Sequence, residues 1–301
     1  MKIVLTGGTG LIGRHFSAAL VERGDEVICV SRKAERARLK LSPGVAVLEA
    51  DPTVAGRWQD SVADCDVVVN LAGEPLSSGR WTSRRKKRFR RSRLETTRRV
   101  VEGVRRSNRV KLLISASAVG IYGDGGREPQ YEERQASGDF LGRLAHEWES
   151  CALEAADATR IVLARFGVVL ASSDGALPRM AVPFRWGLGG PLGNGKQYLP
   201  WIHIDDVLRV LFYMIEQDDL IGPVNVVAPD PPTQREFAAL LGEVLGRPAR
   251  VTAPAWVLRL LLGEMADMVL SSYRAVPKAL RAKSFAFEHK DLRRSLADLL
   301  E

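Results

Sequence analysis

Three glycines spaced three apart, in Gly7-Gly8-Thr9-Gly10-Leu11-Ile12-Gly13, stand where a chain could hold a specific charged group. They follow a short apolar run, residues 2–6. They precede residues 11–23, where Leu11, Ile12, Phe16 and Leu20 recur at helical spacing before Gly24. That order reads as strand, tight turn and helix. In such a turn the backbone can approach a pyrophosphate, and the free amides and dipole of the helix N-terminus attract its charge. Gly7, Thr9, Gly10, Leu11, Ile12 and Gly13 are therefore read as dinucleotide contacts. A glycine triplet alone would also serve an ordinary tight turn; its place between strand and helix favours the nucleotide.

About twenty residues further on, a site for NAD would offer Asp or Glu to the ribose 2′-hydroxyl. This chain has Ser31-Arg32-Lys33 at the end of its second apolar strand. Arg32 can fork onto a 2′-phosphate, Ser31 can donate a hydrogen bond and Lys33 adds charge, so NADP(H) is the expected cofactor. The plainer reading is a pair of solvated charges at a strand end.

The elements that must carry these groups alternate. Residues 27–30, 67–69, 112–114 and 161–163 are unbroken apolar runs, and helices are expected at 83–106 and 138–156 between them. Continuous apolar strands alternating with helices imply a parallel sheet covered on both faces. The fold class is therefore α/β, a doubly wound parallel sheet of the Rossmann type with a smaller C-terminal substrate lobe. Beyond Arg165 the chain becomes rich in glycine and proline, with helices expected at 205–217, 233–245 and 255–270. Residues 1–170, rejoined by 201–227, are assigned to the NADP(H)-binding domain. Residues 171–200 and 228–301 are assigned to the substrate lobe.

With 301 residues, there is room for two such units. No run approaches the roughly 18–20 apolar residues of a membrane span, and residues 255–270 are interrupted by Arg259, Glu264 and Asp267. No export signal is visible, and Cys29, Cys65 and Cys151 lack metal-ligand spacing, which suits buried, reduced thiols and a cytoplasmic protein. The net charge of +8 owes much to nine basic residues between Arg80 and Arg93. Trp81 and Phe89 interleave with them, so nucleic-acid binding is one reading. The other is a helix that sends most of Arg84, Arg85, Lys86, Lys87, Arg88 and Arg91 to solvent.

Several longer motifs accompany the glycine turn: Asn70-Leu71-Ala72-Gly73-Glu74-Pro75, Ser115-Ala116-Ser117-Ala118, Arg165-Phe166-Gly167-Val168-Val169-Leu170, Gly187-Leu188-Gly189-Gly190-Pro191 and Trp201-Ile202-His203-Ile204-Asp205-Asp206. With them the chain resembles, over nearly its whole length, the extended epimerase/dehydratase-type short-chain dehydrogenase/reductase superfamily, and within it the YfcH-like epimerase-family subgroup. The resemblance implies that Leu71, Ala72 and Gly73 line the adenine and ribose side of the cofactor. Glu74 and Arg165, in two of the shared motifs, are counted with the cofactor-binding residues. It also implies that residues 201–206 return the chain to the nucleotide domain, where His203 has a packing and capping use at a helix entrance.

The same resemblance implies a Tyr as acid/base, a Lys four residues later and a Ser on the substrate oxygen, because hydride transfer needs a proton donor within reach. Ser117 takes the serine position, or is simply a polar strand end. Asp139 stands where the tyrosine is expected and Arg143 where the lysine is. Neither reproduces the chemistry: Arg143 stays protonated, and Asp139 donates near neutrality only if burial raises its pKa. Tyr122, on the loop after Ser117, is either the acid/base or part of the substrate wall. A phenol with no cationic neighbour keeps a pKa near ~10.

The expected activity is oxidoreduction, or epimerisation through a transient ketone, at a hydroxyl or carbonyl of a small, sugar-like substrate, by a monomer or homodimer with no metal. The rival is a non-catalytic NADP(H)-binding redox sensor or interaction protein, kept open by the missing tyrosine and lysine. Nucleic-acid binding through residues 80–93 is the third reading.

Overall fold

The computed structural model describes every residue except Ser78 and Glu301. The first half runs β1 (Lys2–Thr6), α1 (Leu11–Glu22), β2 (Glu26–Ser31), α2 (Ala34–Arg38), β3 (Val45–Glu49), α3 (Trp58–Ala63), β4 (Val67–Asn70), α4 (Ser83–Arg105), β5 (Leu112–Ala118), α5 (Phe140–Leu153) and β6 (Arg160–Phe166). There follow β7 (Val168–Leu170), α6 (Leu177–Arg185), β8 (Trp201–His203), α7 (Ile204–Glu216), β9 (Gly222–Val226), α8 (Gln234–Val244), α9 (Ala255–Leu262), α10 (Met265–Leu270), α11 (Lys278–Ala282) and α12 (Leu292–Leu300).

Seven strands form one parallel sheet in the order β3-β2-β1-β4-β5-β6-β9, with β1 paired to β2 on one side and β4 on the other. The order reverses beside β1, so the carboxyl ends of β1 and β4 open a crevice at the switch point. The strands are apolar throughout because both faces are covered. Leu5, Val27, Val69 and Ile114 pack under α1 and α7, and Val4, Val68 and Leu113 pack under α3, α4 and α5. Full burial of one such Leu, Ile or Phe contributes about 1.5–3 kcal/mol. This is the sheet the alternating pattern predicts.

A separate core gathers Leu170, Leu177, Phe184, Trp201, Phe237, Leu241, Leu296 and Leu299 from β7, α6, β8, α8 and α12. Two carboxylates and a histidine tie it to the sheet unit. Asp206, fully buried in α7, accepts from the backbone N–H groups of Glu288 and His289 at 3.0 and 2.9 Å. His203 caps α7 by accepting the Asp205 N–H on Nδ1 at 3.1 Å, and its Nε2 lies 3.1 Å from Asp298 on α12. The capping use expected of His203 is what it has.

One local expectation changes. The helix expected over 255–270 is two helices, because Gly263 adopts φ +61° and ends α9. The basic segment is as expected, with Arg84, Lys87, Arg88 and Arg91 exposed and Arg85 and Lys86 half-buried, and it makes surface contacts. Arg80 donates to the carbonyls of Leu260 and Leu261, Lys86 pairs with Glu264, Arg88 with Glu74, and Arg90 with Glu147. All three cysteines are free and buried, and burial pushes Cys65 up to about 12 and Cys29 and Cys151 to about 11. Among the described residues no helix is long and apolar enough to cross a membrane.

Candidate nucleotide-binding edge and active site

The glycine turn sits between β1 and α1, at the crevice. Gly7 adopts φ +72°, and a Cβ there would lie 2.6 Å from the Leu71 carbonyl carbon. A Cβ on Gly13 would lie 2.5 Å from Gly8 Cα. The turn is therefore drawn tightly against the chain leaving β4, with the Leu71 N–H donating to the Thr6 carbonyl at 3.1 Å. Gly10 is the N-cap of α1, with no side chain capping the helix and no acidic residue in its first turn. The first-turn amides and the positive end of the dipole thus meet no side-chain cap and no first-turn carboxylate, which suits a pyrophosphate.

A buried polar chain fixes this edge from below. The Thr6 hydroxyl donates to Asn70 Oδ1 at 2.7 Å, the Asn70 amide donates to the Thr97 hydroxyl at 2.8 Å, and the Trp148 indole donates to the same hydroxyl at 2.9 Å. Strands β1 and β4 and helices α4 and α5 are thereby held in register where the ligand would sit.

Ser31 ends β2, next to the glycine turn, and Arg32 and Lys33 are exposed. Neither basic side chain has an ion pair among the described residues. Two acidic groups do come close: Asp51, on which the Arg32 charge acts, and Glu49, which ends β3 and accepts the Ala34 N–H at 2.9 Å. Glu49 caps α2, so the sequence distance of fifteen residues hides a carboxylate that the fold brings near. Beyond it, Leu48, Asp51, Val54 and Trp58 line a cavity of about 330 Å³ at the carboxyl end of β3.

Leu71 and Ala72 are half-buried beside the glycine turn, Gly73 is exposed, and Glu74 is bridged by Arg88 with both contacts at 3.0 Å. Arg165 is placed elsewhere. Its buried guanidinium grips Glu149 at 2.7 and 2.8 Å and donates to the Tyr122 hydroxyl at 2.9 Å and the Glu132 carbonyl at 2.8 Å.

That network holds two of the four expected catalytic residues. Ser117 donates to Glu149 at 2.6 Å, and the Tyr122 hydroxyl donates to Asn225 Oδ1 at 2.6 Å. Both are almost fully buried, at 3 % and 2 % exposure. Tyr122 thus has the cationic neighbour that its sequence surroundings lack. Burial nevertheless outweighs the Arg165 charge and pushes its pKa up to about 12. A phenol so placed holds its proton through the neutral range.

Asp139 and Arg143 lie together at the start of α5, with no hydrogen bond to that network among the described residues. The Asp139 carboxylate caps the helix, accepting the Gly142 N–H at 2.7 Å, and the exposed Arg143 donates to the Gly138 carbonyl. The structure therefore joins Ser117 to Tyr122 through Glu149 and Arg165, and leaves Asp139 and Arg143 as a local pair.

Comparison with known proteins gives the family and the fold. The profile of the NAD dependent epimerase/dehydratase family matches residues 3–227. The chain belongs to that family. A second profile, a domain of unknown function (DUF1731), matches residues 253–299, the part that Asp206 and His203 tie to the sheet unit. The epimerase family protein YfhF of Bacillus subtilis is 36 % identical over all of this chain and 98 % of its own length. The mouse epimerase family protein SDR39U1 is 35 % identical over the full length of both. A crystal structure of human SDR39U1 with NADPH superposes with a TM-score of 0.88 at 33 % identity, covering 99 % of each chain.

Glu149, Asn225 and Arg93 escape a reading of motifs, yet two of them leave a signal. Glu149 falls in the buried stripe of Ala145, Trp148 and Ala152, and Arg93 in the stripe of Phe89, Leu94, Thr97 and Val101. A charge on an apolar helix face requires a buried partner or a ligand. Asn225 follows a Gly-Pro start and carries no comparable mark.

Proposed function

We propose that this protein binds NADP(H) along the carboxyl edge of the sheet and uses it for oxidoreduction, or for epimerisation through a transient ketone, at a hydroxyl or carbonyl of a small, sugar-like substrate. The observation that carries the reading is the pairing of two neighbouring strand ends. The glycine turn and uncapped helix follow β1, and Ser31, at the end of the neighbouring β2, leads into Arg32 and Lys33, which have no ion pair among the described residues. Gly7, Thr9, Gly10, Leu11, Ile12 and Gly13 would hold the pyrophosphate, Ser31 to Lys33 the 2′-phosphate, and Leu71 to Glu74 the ribose. The adenine would lie toward the cavity beside Asp51. Bound there, the nicotinamide supplies or accepts the hydride. The NADPH in the human SDR39U1 structure supports the choice of nucleotide. The core of β7, α6, β8, α8 and α12 would wall the substrate side.

In this reading Ser117, Tyr122, Asp139 and Arg143 surround the reacting end. Tyr122 and Ser117 act within the buried network, and Arg143 is the exposed cation a substrate anion can meet. Arg165 orients Tyr122 and Glu149 and does not touch the nucleotide. A second reading, a non-catalytic NADP(H)-binding sensor, is favoured by one observation: both hydroxyls are already committed inside the protein.

Titrating NADPH and NADH by nicotinamide fluorescence, then following absorbance with a panel of carbonyl compounds, separates the readings. Turnover lost in Tyr122→Phe, Ser117→Ala or Asp139→Asn with NADPH affinity kept supports catalysis. Tight NADPH binding without turnover on any carbonyl supports the sensor. Equal affinity for NADPH and NADH would sink the 2′-phosphate site.

A further inference from the structure

Away from the nucleotide edge, a cavity of about 190 Å³ opens between the loop after β5, the loop before β8 and the start of α8. Its walls carry Arg127, Lys196 and Arg235 together with Tyr198 and Thr233, and no carboxylate among the described residues. Backbone bonds hold these segments in place. The Gly125 N–H donates to the Ser272 carbonyl at 2.9 Å, the Tyr198 carbonyl accepts the Tyr273 N–H at 3.1 Å, and the Gly195 carbonyl accepts the Arg235 N–H at 2.9 Å. Gly195, at φ +69°, also lets the Arg235 stem lie close, since a Cβ there would stand 3.1 Å from Arg235 Cβ.

A single solvated arginine is ordinary surface. Here three cations line one concavity, and none of them has an ion pair among the described residues. A fourth stands behind: the Arg274 guanidinium lies 5.1 Å over the Tyr198 ring and donates to the Arg127 carbonyl at 3.0 Å. The carboxylates close by in the chain are turned elsewhere. Glu236 accepts the Thr233 N–H and hydroxyl at 2.7 and 2.8 Å, Asp124 accepts the amides of Gly126 and Ser272, and Asp230 pairs with Arg281. A cleft lined by one sign of charge focuses its field on whatever anion enters. Arginine forks match phosphoryl oxygens, and lysine adds a point charge. The space is below the ~300 Å³ of an ordinary small-molecule pocket, so it suits one phosphoryl group on a small carrier and not a dinucleotide.

We propose that this cavity is an anion site separate from the nucleotide edge, taking the phosphoryl group of a small phosphate ester or of inorganic phosphate through Arg127, Lys196 and Arg235. None of these residues belongs to the glycine turn, to residues 31–33 or to the chain leaving β4. The site therefore stands whether or not that edge holds a dinucleotide.

The full chain is titrated calorimetrically with inorganic phosphate and with glycerol 3-phosphate, at low ionic strength and again with added sodium chloride. The wild type is compared with Arg127→Gln, Lys196→Gln, Arg235→Gln and Arg32→Ala. The three cavity side chains are exposed, so their replacement leaves the cores intact. Both probes are expected to bind, more weakly in salt. Each cavity variant should weaken binding by about tenfold or more, the loss of one charged contact. Arg32→Ala and saturating NADPH should leave the titration unchanged. Tighter binding of glycerol 3-phosphate than of phosphate assigns the site to an ester, and equal affinity assigns it to the free ion. A wild type that binds neither probe in the millimolar range overturns the proposal. So does binding that survives all three cavity substitutions. Binding that NADPH displaces, or that Arg32→Ala removes, overturns it as well, because that anion sits at the nucleotide edge.

Discussion

Arg165 and Glu149 face each other through both edges of the guanidinium, Nε to Oε1 at 2.7 Å and Nη2 to Oε2 at 2.8 Å, with each side chain 7 % exposed. Burial opposes the charge on Arg165, but the Glu149 bonds and charge outweigh it and hold the pKa above its ordinary value. Removing either partner strands a buried charge, at a cost of about 3–5 kcal/mol. Arg165→Met and Glu149→Leu are each expected to lose that much stability in urea unfolding, and the double variant less than the sum. Additive losses below about 1 kcal/mol each would place the pair among ordinary surface bridges.

How much of this was legible depends on the range of the signal. The glycine turn, the apolar strands and Ser31-Arg32-Lys33 are local, since each is decided by neighbours in the chain, and each is where its pattern predicts. The Glu149, Arg165 and Tyr122 network is not local. It joins α5, β6 and the loop after β5, and Tyr122 acquires its cation from a residue 43 positions away. No spacing rule reaches that far. The break at Gly263 was legible in kind, because glycine ends helices, but the apolar run on both sides of it masks the stop. Strand β9 begins Gly222-Pro223, tolerated at a sheet edge and invisible to a search for continuous apolar runs.

The cofactor assignment makes a quantitative demand on Arg32. A charge-assisted contact to a phosphate is worth about 1.5–3 kcal/mol. Arg32→Ala should therefore weaken NADPH binding by roughly ten- to a hundredfold and leave NADH binding nearly unchanged. Fluorescence titration of both nucleotides checks this. An unaltered preference in the variant would mean that Arg32 is only a solvated surface charge.

Gly7 makes a second demand on the same site. Alanine there must adopt φ +72° and set its Cβ 2.6 Å from the Leu71 carbonyl carbon, so the turn has to move away from β4. The left-handed conformation alone costs roughly 1–2 kcal/mol. Gly7→Ala is expected to lower stability by at least that amount and to abolish measurable nucleotide binding even where circular dichroism reports an intact fold. Wild-type affinity in a folded variant would show that the turn does not cradle the ligand.

The stacked pair His203 and His289 adds a pH dependence whose sign follows from burial. The rings lie 3.7 Å apart and nearly parallel, and His203 is 1 % exposed. Its pKa falls below the ordinary 6.5, first through burial and then through the charge of His289, although Asp205 and Asp298 pull the other way. Protonation would also remove the Nδ1 lone pair that caps α7. The unfolded chain therefore takes up the proton first. This contribution to stability is complete above pH 6.5 and is lost as the pH falls from there toward the lowered folded value. The depressed carboxylates Asp25 and Asp66 lose theirs only below 3.8, so a comparison made above that range reads the histidine. Melting temperatures at about pH 7.5 and about pH 5.5 should differ in the wild type and differ less in His203→Asn, whose side chain can still cap the helix. The same fall in both proteins would assign the acid sensitivity to another group.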